Sequence, residues 1–305
     1  MLRFLVRRML HSILVLLGVL FVVHGLLLLT GDPTAALLPP DADEEVRENL
    51  RQKHGLDDPF PVQYVKFVGR AVRGDFGDSF RQARPAFEFV SEKAGETIKL
   101  GAVGLAISLA VGGPLGALSA LKKGTWIDRT ARMVAAMGQA IPDFWLGIML
   151  ILILGVNLNW LPISGTGDWR HLVMPGLVVA LPTLPAVVRI YRSSLIGVLD
   201  RDYVRAARAR GLRGAQVFGR HVARNAAIPI VTVLAFEVGS IMSGALIAEV
   251  IFAYPGMGRV AYQAIINRDI AVVQAYVFMV SLIVVTTNML LDIAYSMLDP
   301  RVRVR

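Results

Sequence analysis

The chain has 305 residues, 55% of them hydrophobic, and its mean hydropathy of +0.57 with apolar residues gathered in long blocks excludes an ordinary water-soluble domain. Its formal charge of +9 argues for nucleic-acid binding only until the charge is located: residues 31–96 carry 13 acidic and 9 basic side chains, a net of −4, so the basic excess sits in short segments flanking apolar blocks, as beside membrane spans. The absence of cysteine excludes disulfides and thiolate metal sites.

The first apolar block, Met9–Leu29, follows Arg3, Arg7 and Arg8, which places the N-terminus in the cytoplasm. A cleaved signal peptide is the competing reading; its apolar region would be too long, and no small-x-small cleavage site precedes Gly31. Residues 31–96 are polar, with Pro39 and Pro40, and predict a small extracytoplasmic subdomain in which Glu44–Lys53 suits a short amphipathic helix. Further blocks follow at Leu100–Leu121, Met133–Leu158, Leu172–Arg189, Ile228–Phe252 and Ala271–Leu298. Each is close to the ~20 residues that a hydrocarbon core demands of a helix.

The intervening loops alternate in charge. Lys122, Lys123, Arg129 and Arg132 mark one as cytoplasmic, Asn157–His171 reads as outer, Arg189–Arg224 as inner, Ala253–Ile270 as outer, and Arg301, Arg303 and Arg305 as inner. The prediction is an all-α integral membrane protein with six transmembrane helices and both termini cytoplasmic. Its parts are residues 1–30 (tail and first span), 31–96 (extracytoplasmic), 97–298 (core, with a cytoplasmic loop at 190–227) and 299–305 (tail). Gly112, Gly113, Pro114, Pro142, Pro182 and Pro185 lie within spans, where small residues permit close helix approach and prolines kink.

Within the basic loop, Asp200 to Gly211 predicts a short helix: Asp200 or Asp202 caps its start, Ala and Arg favour its interior, and Gly211 ends it in the left-handed conformation. Val204, Ala207 and, a turn away, Ala206 and Leu212 form a small-residue face flanked by arginines, suited to a groove on another protein. A helix lying on anionic lipid accounts equally well for the composition alone.

The run Arg205-Ala206-Ala207-x-x-x-Gly211, followed by His221-x-x-Arg224-Asn225-x-x-x-Pro229, resembles the "EAA" loop of ABC importer permeases of the oligopeptide, dipeptide and nickel group. Further likeness lies in Gly31-Asp32-Pro33, Gly74-Asp75-Phe76-Gly77, Pro142-x-Phe144-Trp145-Leu146-Gly147, Glu249-x-x-Phe252-x-x-Pro255-Gly256-x-Gly258-Arg259 and Leu298-Asp299-Pro300-Arg301, so it covers nearly the whole chain. One departure is Arg205, where the general motif has Glu. The resemblance implies a type I ABC importer permease fold in the bacterial inner membrane. It further implies a second homologous permease subunit, one or two ATPase subunits that bind ATP and Mg, and an extracytoplasmic substrate-binding protein. On the same ground Asp202, Tyr203, Val204, Arg205, Ala206, Ala207, Arg208, Ala209, Gly211 and Leu212 form the coupling helix and its end.

No G-x-x-x-x-G-K-[ST] loop is present, so energy for active transport is expected from another subunit, with no cofactor in this chain. Asp143 and Glu237 each lie about ten residues from a cytoplasmic span end, roughly 15 Å at helical rise, and are candidates to line the translocation path. A structural hydrogen bond is the competing role for each. The resemblance places Glu249, Phe252, Pro255 and Gly256 at an outer gate. His24 is expected to be solvated at the end of the first span. The five histidines are scattered and predict no metal site. Di- or oligopeptides are the leading cargo, with nickel chelates, glutathione-like peptides and sugar-peptide conjugates open. An ion-coupled carrier or channel is the alternative of another class; an intramembrane enzyme lacks any H-E-x-x-H helix or nucleophile–base pair.

Overall fold

The computed structural model describes residues 2–29, 58–212 and 214–298, with single positions at 43, 45 and 48. The short helix expected at Glu44–Lys53 and the tail at 299–305 lie largely or wholly outside the described residues, as do the side chains of 231–236 and 292–298. The chain folds as two compact units, residues 1–97 with 255–286, and residues 98–254 with 287–305.

The first unit starts with α1 (Leu2–Leu29) and α2 (Phe60–Ala71), the latter entered through Pro59 with a second proline in its first turn, where a missing N–H costs nothing. A two-stranded antiparallel hairpin follows, β1 (Asp78–Ser79) against β2 (Arg84–Pro85), with Ser79 opposite Arg84. The chain then enters α3 (Ala86–Leu121), an apolar helix that begins well before the block predicted at Leu100. From the far end of the sequence the unit takes α11 (Met257–Ile266) and the first part of α12 (Ile270–Leu298). Phe67, Phe76, Val90, Met257, Val272 and Met279 share its core, and Phe76 stacks on Phe87 at 5.7 Å.

Two long-range hydrogen bonds fasten this unit. The Ser79 hydroxyl donates to Asp269 Oδ2 at 2.6 Å, with both residues buried, and the Met257 amide donates to Thr97 Oγ1 at 2.8 Å. Thr97 thereby satisfies an orphan N–H at the start of α11, a task Gly256 at the N-cap has no side chain to perform. His24 differs from its expected solvated state. It stacks on Phe67 at 4.9 Å, and Gln274 Nε2 lies 3.1 Å from its Nδ1, because the aromatic residues of α2 cover it.

The second unit holds the rest of α3, then α4 (Trp126–Ala140), α5 (Asp143–Leu150), which continues as a π-helical segment over Ile151–Asn157, α6 (Arg170–Ala180) and α7 (Leu184–Leu199). After these come α8 (Asp202–Ala209), α9 (Gly214–Val217), which leads into a π-helical turn at Phe218–Val222, and α10 (Ala223–Ile251). α10 packs against α5, α6 and α7. Close approach of α3 to α6 and α7 depends on glycine. A Cβ on Gly104 would sit 2.5 Å from Val179 Cγ1, and one on Gly112 would sit 2.9 Å from Val187 Cγ1.

Two of the predicted spans are bent. α4 and α5 meet at 99°, where Ile141 is extended ahead of Pro142, and α6 and α7 meet at 65° across residues 181–183, beside Pro182 and Pro185. At the first bend the residue preceding proline, Ile141, is driven out of the helical region, so the helix ends there, whereas Leu181, before Pro182, keeps helical angles and that rule does not account for the second bend. Among the described residues three helical stretches are long and apolar enough to cross a membrane, Val6–Leu26, Ala86–Leu121 and Ile270–Leu291, or five counting each bent pair as one span.

Candidate coupling and translocation site

α8 opens with Asp202 in its first turn and is followed by Gly211 at φ +79°, the left-handed conformation that Gly adopts without strain. Val204 is fully buried and Ala207 nearly so, packed with Ala120, Leu195, Val217, Val222 and Ala226. These two residues therefore anchor the helix to its own chain, where the sequence reading had them facing outward. The reason lies in the neighbouring elements: α7, α9 and the start of α10 supply an apolar seat that helix periodicity alone does not reveal. Tyr203, Arg205, Ala206, Ala209, Gly211 and Leu212 are exposed, and Asp202 is fully so. The Arg208 side chain lies outside the described residues. Asn225 Nδ2 donates to the Tyr203 hydroxyl at 3.2 Å, joining α8 to the first turn of α10.

Beside this seat lies an ion cluster missed in the sequence. Asp128 of α4, 2% exposed, accepts from Arg192 Nε and Nη2 of α7, both at 2.8 Å. It also accepts from Ser119 Oγ at 2.5 Å, the Gly124 amide at 2.9 Å and Arg132 Nε at 3.2 Å. One carboxylate thus ties the end of α3, the following turn, α4 and α7. Arg192 is one helical turn before Leu195, which is part of the α8 seat. In the sequence Asp128 stands among Lys122, Lys123, Arg129 and Arg132 and reads as loop charge; the usable signal was Arg192 near the end of an apolar helix, which demands a partner.

The path candidates are dispersed. Asp143, half-buried, is the first residue of α5, directly after the bend. Glu237, half-buried in α10, lies within electrostatic reach of Arg189 on α7. No hydrogen bond or ion pair joins Asp143 to Glu237 among the described residues. Glu249 is fully buried near the end of α10, and its carbonyl accepts the Tyr254 amide at 2.9 Å. Phe252 is also buried, its carbonyl accepting the Gly165 amide of the 158–169 segment at 2.9 Å. In the other unit, Pro255 is half-buried and Gly256, buried, is the N-cap of α11. A cavity of about 580 Å³ in the 155–171 segment is lined by Asn159, Trp160, Asp168 and His171 and contains none of the residues singled out in the sequence. Among the described residues no cluster of His, Cys, Asp or Glu has metal-binding geometry.

Residues 112–304 match the family described as binding-protein-dependent transport system inner membrane component, and residues 1–101 match the N-terminal part described for the same type of membrane component. The chain belongs to this family. It is therefore a multi-pass bacterial inner-membrane permease subunit of an ABC importer. It is 34% identical over 311 residues to the oligopeptide transport system permease protein AppB of Bacillus subtilis, covering 98% of each chain. It is also 33% identical over 308 residues to the glutathione transport system permease protein GsiC of Escherichia coli K12, covering 99% of each. An inward-facing form of the MetNI methionine ABC transporter shares the fold, with a TM-score of 0.59 over 69% of this chain and 96% of the other at 16% identity.

Proposed function

We propose that this permease forms half of the translocation path of an ATP-driven peptide importer and is driven by a separate ATPase through α8. The observation that carries the coupling role is the two-faced build of α8. Val204 and Ala207 hold it to the chain, while Tyr203, Arg205, Ala206 and Leu212 remain exposed in a form that fits a partner's cleft. The helix is seated directly on α7, so force applied to it reaches the spans without a flexible intermediary.

The finer assembly belongs to the same reading. Six spans with both termini cytoplasmic are paired with a second homologous permease, one or two ATPase subunits that hold ATP and Mg, and an extracytoplasmic binding protein that delivers cargo. The named relatives support di- or oligopeptides as cargo, with glutathione, itself a small peptide, next. Alternating access would be a shift between two conformations that ligands bind differently.

The test is co-expression with the cognate ATPase and binding protein. The ATPase is expected to co-purify with the chain and to lose that association in Ala206→Trp, and proteoliposomes holding the complex are expected to take up a tripeptide only with ATP. ATPase retention by Ala206→Trp overturns the coupling assignment, and uptake by this chain alone without ATP favours an ion-coupled carrier.

A further inference from the structure

Between α4 and α7, inside the second unit, lies a cavity of about 360 Å³. Arg132, Ala136 and Gln139 line it from α4 at positions i, i+4 and i+7, and Arg189, Arg192 and Ser193 line it from α7 at i, i+3 and i+4, so each helix presents one face to the same space. Three guanidinium groups meet here. Asp128 takes Arg192 through two bonds and Arg132 through Nε only, which leaves the terminal nitrogens of Arg132 unspent on it. Arg189 makes no hydrogen bond or ion pair among the described residues, nor do Gln139 and Ser193 through their side chains. Glu237, half-buried on α10, is not among the residues that line this cavity.

We propose that this groove is a cargo site that takes the C-terminal carboxylate of a short peptide, with Arg189 and Arg132 as its donors and Gln139 and Ser193 alongside. The inference rests on the peptide-importer reading above. A planar guanidinium matches a carboxylate with two parallel bonds, and the amide and hydroxyl add neutral donors of the kind a pathway needs to hold cargo without trapping it. The phosphate of a membrane lipid is the competing occupant. Such a phosphate would meet the same guanidinium groups, and competition between peptide acid and peptide amide separates the two occupants.

The assembled permease–ATPase complex in nanodiscs, without the binding protein, is to be equilibrated with tritiated Ala-Ala-Ala and competed with unlabelled Ala-Ala-Ala or its C-terminal amide. The wild type is expected to prefer the acid over the amide by roughly tenfold, the value of one charge-assisted contact. Arg189→Gln combined with Arg132→Gln removes that preference, whereas Arg189→Lys retains part of it. An unchanged preference in the double variant, or no specific binding by the wild type, overturns the groove assignment. If tripeptide uptake with the binding protein persists in that case, the groove alone falls; if uptake is absent too, the peptide reading falls with it. Loss of phosphatidylglycerol retention in the double variant, read by native mass spectrometry with the acid preference intact, makes the groove a lipid site and likewise overturns the cargo assignment.

Discussion

Arg192 closes on Asp128 as a two-pronged fork, Nε and Nη2 each 2.8 Å from a carboxylate oxygen, and this contact joins α4 to α7 one turn above the seat of α8. Removing either partner strands the other. Asp128 is buried, but Arg192 and Arg132 keep water contact, 22% and 55% exposed, so the loss falls toward the lower end for a broken buried pair, about 2–3 kcal/mol. Asp128→Asn is expected to lower stability by this amount in a detergent thermal melt, and Arg192→Gln by a similar amount. The double variant should lose less than the sum of the two singles. Strict additivity would show that the fork contributes nothing as a pair.

Substitutions on the two faces of α8 should separate in their effects. Arg205→Glu and Ala206→Trp act on the exposed face and are expected to weaken ATPase binding about thirtyfold, equivalent to about 2 kcal/mol, with thermal stability unchanged. Ala207→Trp forces an indole into the cluster with Ala120 and Leu195 and is expected to destabilise the chain itself by about 1–3 kcal/mol. A surface-binding assay paired with a thermal melt distinguishes these outcomes. An Ala207→Trp chain that melts normally and only loses the ATPase would put that residue back on the outer face.

The contrast within α8 shows where the sequence was legible. Its existence, its start near Asp202 and its end at Gly211 follow from local chemistry, and the structure has them. Its orientation depends on Leu195 and Val222, which belong to other elements, and on which side of the helix they close. The same limit applies to the spans. Hydropathy located the blocks, but the 99° bend at Pro142 was visible only as a proline, with no measure of its angle. Asp128 and Ser79 were missed because each meets its partner, Arg192 or Asp269, across a sequence separation of 64 or 190 residues.

Glycine at the contact of α3 with α6 should be intolerant of any side chain that cannot yield. At Gly104 an added Cβ meets both Cβ and Cγ1 of Val179, within 2.8 Å, and Val179 is itself buried in α6. Because β-branched valine has little rotamer freedom in a helix, the helices must separate. Gly104→Ala is expected to cost about 1–3 kcal/mol in a thermal melt, while Gly113→Ala, with open space at its Cβ, should be neutral or slightly stabilising. Equal effects at the two positions would contradict this packing.

The hairpin of the first unit hangs on Ser79. Its hydroxyl donates to Asp269 and accepts the Gln82 amide at 3.2 Å, so Ser79→Ala deprives a buried carboxylate of a donor and opens the turn together. The expected loss is about 1.5–3 kcal/mol, the range for a hydrogen bond to a charged group. Hydrogen exchange should report it as faster exchange at the Ala83 amide, which donates to the Ser79 carbonyl, and at the Asp269 amide, which donates to Ala264. Faster exchange at Ala83 with Asp269 unaffected would mean that the hairpin is held without the long-range bond.

Acid should loosen the 158–171 segment through Asp168. His171 Nδ1 lies 3.0 Å from its Oδ1, and the Arg170 amide donates to the same oxygen at 3.1 Å; chiefly the His171 contact holds the carboxyl below its usual range. A carboxyl whose folded pKa is depressed adds stability that is fully present above its unfolded value, about 4, and is lost as pH falls through the lower folded value. The carboxylate is exposed, so the change is local and small. Trp160 and Trp169, both exposed and flanking Asp168 in sequence, provide a fluorescence readout in a variant lacking Trp126 and Trp145. Emission is expected to shift below about pH 4, and Asp168→Asn should abolish that shift. A shift that survives Asp168→Asn would assign the acid sensitivity to another group in the segment.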